Sequence, residues 1–274
     1  MGDSSRVGTA LGAAGESVMS LYAIAHLLQS RDLGPARLGP AIEANRIRAL
    51  RLEPELRQLF ELLHAATADS PELGAALSLL EPHAMALAAS LAQAFGQPAS
   101  ARLGAKERLE LERRAAELGS ELEGVRAMLA LVFAAAENRP VDLELGSVMD
   151  GGSSLEPTFV ARKAEVRVRL AADRSFTGDP RVLWPLFESA FRDLAGQGQG
   201  EELLLCAGSD VDGPVSVQIT VGPHFELKAG NGTMKLALGS PISVERDVVR
   251  AVARHVGIRY EVAEAEHAIT IGLG

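Results

Sequence analysis

The sequence is poor in cysteine and in aromatic residues. Of 274 residues, one is cysteine and 4% are aromatic. With Cys206 alone, an intrachain disulfide and a zinc site built on cysteines are excluded, and a reducing, cytoplasmic location is favoured. The sequence also lacks an uncharged apolar run of ~18 or more residues and a basic-then-apolar N-terminus. We therefore expect neither a membrane span nor a secretory signal.

The sequence also has no excess of basic residues. Lys and Arg total 27 against 36 Asp and Glu, which gives a formal net charge of -9. Because phosphate groups are bound by positive surfaces, nucleic acid is not the expected partner. Hydrophobic residues make up 47% of the chain, enough for a folded core. The length fits two average domains or one large one.

The common catalytic signatures are absent too. The sequence has no Walker-type phosphate loop, no His-Glu-x-x-His, no Gly-x-Ser-x-Gly and no Cys/His cluster. The acidic pairs Glu201-Glu202 and Asp210/Asp212 are expected to be loop carboxylates. No metal site is predicted from these motifs.

The first half of the chain is rich in alanine and leucine and has helical periodicity. Gly/Pro clusters, Gly39-Pro40 among them, divide it into predicted helices over about 13–31, 40–67, 72–97 and 104–138. The last of these carries a heptad seam typical of helix packing, formed by Leu111, Leu118, Leu122, Val125, Leu129 and Val132. Asn138-Arg139-Pro140 ends that helix. We predict a helical bundle over residues 1–139.

After Pro140 the periodicity changes to that of strands. Five are predicted, around Val166–Leu170, Leu203–Ala207, Val215–Val221, Ile258–Ala263 and Ala268–Leu273. One helix is opened by Asp179 and Pro180, and a second runs from about Val244 to His255 and is ended by Gly257. The stretch 222–240 is expected to be a loop. Residues 140–274 are therefore predicted to form an α/β layer with its helices on one face of a mixed sheet.

This order of elements behind a heptad-rich helix resembles that of the sensor histidine kinases. In that family a two-helix dimerisation and phosphoacceptor module precedes an ATP-binding domain of the type shared with gyrase and heat-shock ATPases. The resemblance covers about residues 104–274 and is carried by Arg139–Leu143, Gly178-Asp179-Pro180, Val215–Val221 and Ser243–Gly257. It implies a helical bundle followed by a histidine kinase-type ATPase-like α/β sandwich. A single hairpin with an apolar seam needs partner helices, so we expect a homodimer formed through the bundle. The four helical segments also permit a self-contained bundle within one chain.

The nucleotide contacts of that family are not matched. Its helix carries two asparagines four residues apart, the second of which coordinates the magnesium of ATP, and those positions hold Ser189 and Asp193 here. The adenine-binding aspartate has no counterpart in 219–224, and no glycine box directly precedes the last helix. We predict a domain that has lost ATP binding and holds no cofactor. A divergent active kinase, with Asp193 as the magnesium ligand, is one alternative.

The phosphoacceptor histidine of that family is followed directly by an acidic residue, and none of the six histidines here has that neighbour. His83 is the candidate by position, because it lies on the helix before the heptad helix. His64 is interpreted as a helix-end residue near the dipole. The resemblance implies a response-regulator receiver domain or a sensor kinase as partner. The other alternative is a histidine phosphotransferase that relays phosphoryl groups between receivers through His83.

Overall fold

The computed structural model describes residues 6–13, 15–16, 35–96, 105–144, 162–169, 175–197, 202–208, 215–221, 232–238, 241–263 and 268–273. The chain divides into two compact units. The helical unit comprises Met1–Asp69 and Leu77–Ala130, and the α/β unit comprises Ser70–Ala76 and Leu131–Gly274.

Three long helices account for most of the first half of the chain. They are α1 (Pro35–Ala66), α2 (Pro71–Gly96) and α3 (Ala105–Glu137). The helices predicted over 72–97 and 104–138 are confirmed within two residues. The start predicted at Pro40 is wrong, because α1 begins at Pro35 and contains Gly39 and Pro40. Proline is well suited to the first helical position, where its missing N–H has no partner to lose.

The helix predicted over about 13–31 near the N-terminus is described only in part. Residues 6–13 and 15–16 are helical, and the rest of the helix predicted over 13–31 lies outside the described residues. Val7 is buried, and Gly15 lies against the Arg126 side chain of α3, whose Cδ is 3.2 Å from where a Cβ would be.

The core of the helical unit is built from one leucine-rich face of each long helix. The buried side chains include Leu52, Leu59, Phe60 and Leu63 of α1, Leu77, Leu80, Leu87 and Leu91 of α2, and Leu122, Val125 and Leu129 of α3. The predicted seam of α3 is confirmed at its last three positions within this unit, each of which is 1% exposed. Full burial of such a side chain contributes about 1.5–3 kcal/mol.

The α/β unit contains one large sheet and one short ladder. Its strands are β1 (Val141–Glu144), β2 (Arg162–Arg169), β3 (Ser175–Gly178), β4 (Glu202–Gly208), β5 (Ser216–Val221), β6 (Gly232–Leu238), β7 (Arg259–Ala263) and β8 (Ala268–Gly272). Six of them form a sheet in the order β6-β2-β4-β5-β8-β7, and β1 pairs with β3. Only β2 and β4 are parallel among the paired strands of the described part. The sheet is mixed, as predicted.

Two helices pack on one face of the large sheet. Helix α4 (Pro180–Gln197) contacts β5, β6 and β8, α5 (Glu245–His255) contacts β7, and the two helices contact each other. Asp179 caps α4 as predicted, because its Oδ1 accepts the N–H of Arg181 at 2.9 Å. Gly257 has a positive φ of 75° after α5, also as predicted. The chain thus has an α plus α/β architecture.

Three strands were not predicted, and the loop expected over 222–240 is wrong over 232–238. Strand β6 occupies that segment and pairs with β2 at the sheet edge. The alternation of Met234, Leu236 and Leu238 with polar and small residues is a strand signal that the neighbouring Gly-Asn-Gly obscures. Strands β1 and β3 have four residues each, too few to show a period.

One described helix has the length and apolarity of a membrane span. It is Pro71–Phe95, the main part of α2. Core helices of soluble proteins have the same composition, and Leu77, Leu80 and Leu91 of α2 are buried in the fold. The helix is therefore weak support for a membrane location.

Candidate functional site

Ser189 and Asp193, the two positions singled out by the resemblance, both lie on α4. Ser189 is 2% exposed. Asp193 forms a two-point ion pair with Arg246 in the first turn of α5. Its Oδ2 accepts from Nε and its Oδ1 from Nη2, both at 2.8 Å. Such bidentate pairs fix the geometry of both side chains. Both oxygens of the Asp193 carboxylate are therefore bound by a guanidinium group.

A second ion pair lies one residue earlier on α4 and is more deeply buried. Arg192 donates through Nε and Nη2 to Glu245 Oε1 at 2.9 and 2.6 Å, and through Nη1 to Glu188 Oε1 at 2.8 Å. The side chains of Arg192 and Glu245 are 8% and 4% exposed. Glu245 Oε2 also accepts the N–H of Ile242 at 3.1 Å, which ties this carboxylate to the start of α5.

We call these five residues, Glu188, Arg192, Asp193, Glu245 and Arg246, the α4–α5 ion-pair cluster. Strand β7 adds the hydroxyl of Tyr260, which is buried and forms no hydrogen bond with the described part of the chain. Burial, followed by the negative charges of Asp193 and Glu245, raises the pKa of Tyr260 well above its ordinary value. The phenol is therefore neutral at physiological pH.

The cluster contains more carboxylates than guanidinium groups. Three carboxylates and two guanidinium groups give it a net negative charge, and each guanidinium group is paired with a carboxylate. Phosphate groups need positive partners, and magnesium needs carboxylate oxygens available to it. In the part of the chain that the structure describes, no three His, Cys, Asp or Glu side chains are grouped to hold a metal ion.

His83, the phosphoacceptor candidate, lies on α2 in the helical unit. Its side chain is 20% exposed, and Glu121 Oε2 of α3 lies 4.0 Å from its Nε2. That distance is too long for a hydrogen bond, and Nε2 is buried without a hydrogen-bond partner among the described residues. This nitrogen is thus covered in the structure, although a carboxylate is close to it.

His64 has the carboxylate partner that sequence reasoning did not find. Its Nε2 lies 3.2 Å from Glu81 Oε2 of α2, and its side chain is 40% exposed. The ring of Phe60 packs one turn earlier, with centroids 6.5 Å apart. Position at a helix end indicated a dipole interaction for His64, and no local spacing could reveal a partner 17 residues away on another helix.

His255 has a structural role in the α/β unit. Its Nδ1 is 2.9 Å from Ser70 Oγ, and Ser70 in turn accepts the N–H of Leu73 at 3.2 Å and caps α2. His26, His224 and His267 lie outside the described residues.

No protein-family model matches this chain, and a search of curated proteins finds no match. The resemblance to the sensor histidine kinases therefore stays a hypothesis.

Proposed function

We propose that the protein is a cytoplasmic component of two-component signalling with histidine kinase-like architecture. In this proposal it has lost ATP binding and acts by contact with a response-regulator receiver domain or a sensor kinase. The observation that carries the proposal is the Asp193–Arg246 pair. It engages both oxygens of the carboxylate at the position where the kinase family binds magnesium.

The architecture supports a kinase-type ATPase-like sandwich. A long helix, α3, runs directly into the α/β unit, and α4 opens with Gly178-Asp179-Pro180 as the resemblance implies. The sheet is mixed and carries α4 and α5 on one face. These features agree with the resemblance in element order, and the ion-pair cluster is where this chain departs from it.

Loss of ATP binding is tested by thermal unfolding of the full chain with magnesium and ATP. A ligand at 100 times its dissociation constant stabilises a protein by ~2.7 kcal/mol, a readily measured shift. We expect no shift at millimolar nucleotide. A saturable shift that Asp193→Asn abolishes would instead favour the divergent kinase, with Asp193 as the magnesium ligand.

The partner is tested with receiver domains encoded in the same genome, phosphorylated by acetyl phosphate. We expect one receiver to bind this protein in titration calorimetry. We expect no phosphoryl group to pass between the two proteins. If none of the receivers and none of the sensor kinases binds, the signalling proposal is wrong.

A homodimer through the helical bundle is part of the proposal. An exposed, uncharged face of α2 supports it, with Leu79, Pro82, Ala86, Ala89 and Gln93 at the alternating spacing of three and four residues that suits helix pairing. Leu79→Glu should then give a monomer in sedimentation velocity. Leu109→Glu, at an exposed position on α3, is the matched control.

The alternative function, phosphotransfer, is favoured by one observation. The Glu121 carboxylate lies 4.0 Å from Nε2 of His83, so a group of the kind that orients phosphoacceptor rings is at hand, although it forms no hydrogen bond to the ring in the structure. Label moving from a phosphorylated receiver to this protein, in an acid-labile and base-stable form, would support it. Loss of that label in His83→Gln, with His64→Gln unaffected, would assign the site, and the reverse result would move it to His64.

A further inference from the structure

The connection between the end of α3 and the start of α4 is organised by Asp179, whose side chain is 1% exposed. Its Oδ2 accepts the backbone N–H of Arg139 at 2.8 Å and Nη2 of Arg181 at 2.7 Å. Its Oδ1 accepts the backbone N–H and the Nε of Arg181, at 2.9 and 3.1 Å. One buried carboxylate thus receives four donors, more than a helix cap requires.

Arg181 continues the network to the end of α3. Its Nη1 donates to Oε2 of Glu137, the last residue of that helix, at 2.7 Å. Arg139 Nη2 donates to the other oxygen of Glu137 at 3.1 Å. The Glu137 side chain is 12% exposed. The same guanidinium group therefore bridges the carboxylates at the end of one helix and the start of the next.

The backbone around these groups has little room to adjust. Asn138 has a φ of 28°, the left-handed region that turns the chain out of α3. Val141 then begins β1 and pairs with Gly178, directly before Asp179. A Cβ at Gly178 would lie 2.8 Å from Leu183 Cδ1. The chain is therefore held on both sides of the carboxylate.

We infer that Glu137, Asp179 and Arg181 form a clamp that makes the last turn of α3 and the first turn of α4 one rigid body. A displacement of the end of α3 is then transmitted to α4 directly, and not only through the intervening segment 138–179, which contains β1, β2 and β3. Helix α4 carries Arg192 and Asp193, so the displacement reaches α5 through the ion pairs of the cluster. This inference does not depend on the proposed function.

Hydrogen exchange of the full-length protein, read by mass spectrometry, tests the clamp. Asp179→Ser keeps a helix cap, because serine accepts the same N–H bond, but its short neutral side chain cannot hold Arg139 and Arg181. We expect exchange in the peptide spanning 137–144 to rise by about tenfold or more, as loss of hydrogen bonds to a charged group predicts. Exchange in the interior of α4, residues 186–194, should be unchanged.

Two further variants keep the test decisive. Arg181→Gln removes the bridge to Glu137 at a half-exposed position and should give the same local increase in exchange. Glu261→Gln neutralises an exposed carboxylate paired with Arg259 and controls for the loss of one negative charge in Asp179→Ser. Unchanged exchange over 137–144 in both Asp179→Ser and Arg181→Gln would show that Asp179 is only a helix cap. An equal increase throughout α4 and the sheet would show general destabilisation. Either result would overturn the clamp.

Discussion

The two units use their charged residues differently. In the helical unit, arginine–carboxylate pairs such as Arg46–Glu43 and Arg113–Glu110 are exposed and join neighbours on one helix. The α/β unit also has exposed local pairs, such as Arg259–Glu261. Three of its pairs, Arg181–Glu137, Arg192–Glu245 and Arg246–Asp193, are instead buried or half-buried and join residues 44 or 53 positions apart. Exposed pairs contribute little to stability because water and salt screen them. Buried pairs fix a geometry, since an unpaired buried charge is costly. The three long-range pairs of the α/β unit therefore fix how its elements pack, a role that exposed pairs within one helix do not have.

The largest effect is expected at Arg192, because it is the most buried cation of the cluster. Arg192→Ala leaves Glu245 and Glu188 without their partner and should lower the free energy of unfolding by about 3–5 kcal/mol, measured by urea denaturation. Replacing the pair together, as Arg192→Met with Glu245→Leu, should recover much of that loss. A loss below about 1 kcal/mol for Arg192→Ala would mean that burial does not set the strength of these pairs.

The second largest loss in the free energy of unfolding is expected at Asp179. Asp179→Asn keeps the cap and loses the charge, at a cost of about 1–3 kcal/mol at pH 7, measured by urea denaturation.

The same carboxyl predicts a pH dependence. Burial favours its neutral form, but the hydrogen bonds from Arg181 and from the N–H groups of Arg139 and Arg181 hold the pKa of Asp179 below its ordinary value. Its contribution to stability is therefore present above the unfolded pKa of about 3.9 and lost as the pH falls through the lower folded pKa. Unfolding followed from pH 7 to 3 should show a shallower acid loss in Asp179→Asn than in the parent. Parallel curves would contradict this assignment.

Arg246 should give a smaller effect than Arg192. Its side chain is 31% exposed and that of Asp193 is 19% exposed, so water partly solvates the charge left behind. Arg246→Ala should cost about 1 kcal/mol in urea denaturation. A cost equal to that of Arg192→Ala would show that position in the cluster, and not burial, determines the effect.

The smallest effect is expected on the surface of α3. Glu110→Gln removes an ion pair with Arg113 in which both side chains are more than half exposed. The midpoint of urea denaturation should not change measurably. A clear loss would remove the distinction between the two units.

The sequence predicted what local chemistry determines. Asp179 and Pro180 mark the start of α4, and Gly257 marks the end of α5, because caps act within one turn. Counting from Asp179 also singled out Ser189 and Asp193 as candidate positions on α4. Their partners could not be found in this way. Arg246 lies 53 residues from Asp193, and Glu137 lies 44 residues from Arg181, and no spacing rule connects them. The pairing of His64 with Glu81 could not be predicted for the same reason, because the two residues lie on different helices 17 positions apart.

The hydrogen bond between Ser70 and His255 has a consequence for how the chain is made. The two residues are 185 positions apart, and Ser70–Ala76 belongs to the same compact unit as Leu131–Gly274. At about 5–20 residues per second, a ribosome needs roughly 10–40 s to synthesise the chain between them. During that interval Ser70, the cap of α2, has no hydrogen bond to His255 because His255 has not yet been synthesised. The α/β unit therefore cannot be completed during synthesis of its first segment, and a fragment that begins at Leu131 lacks part of it.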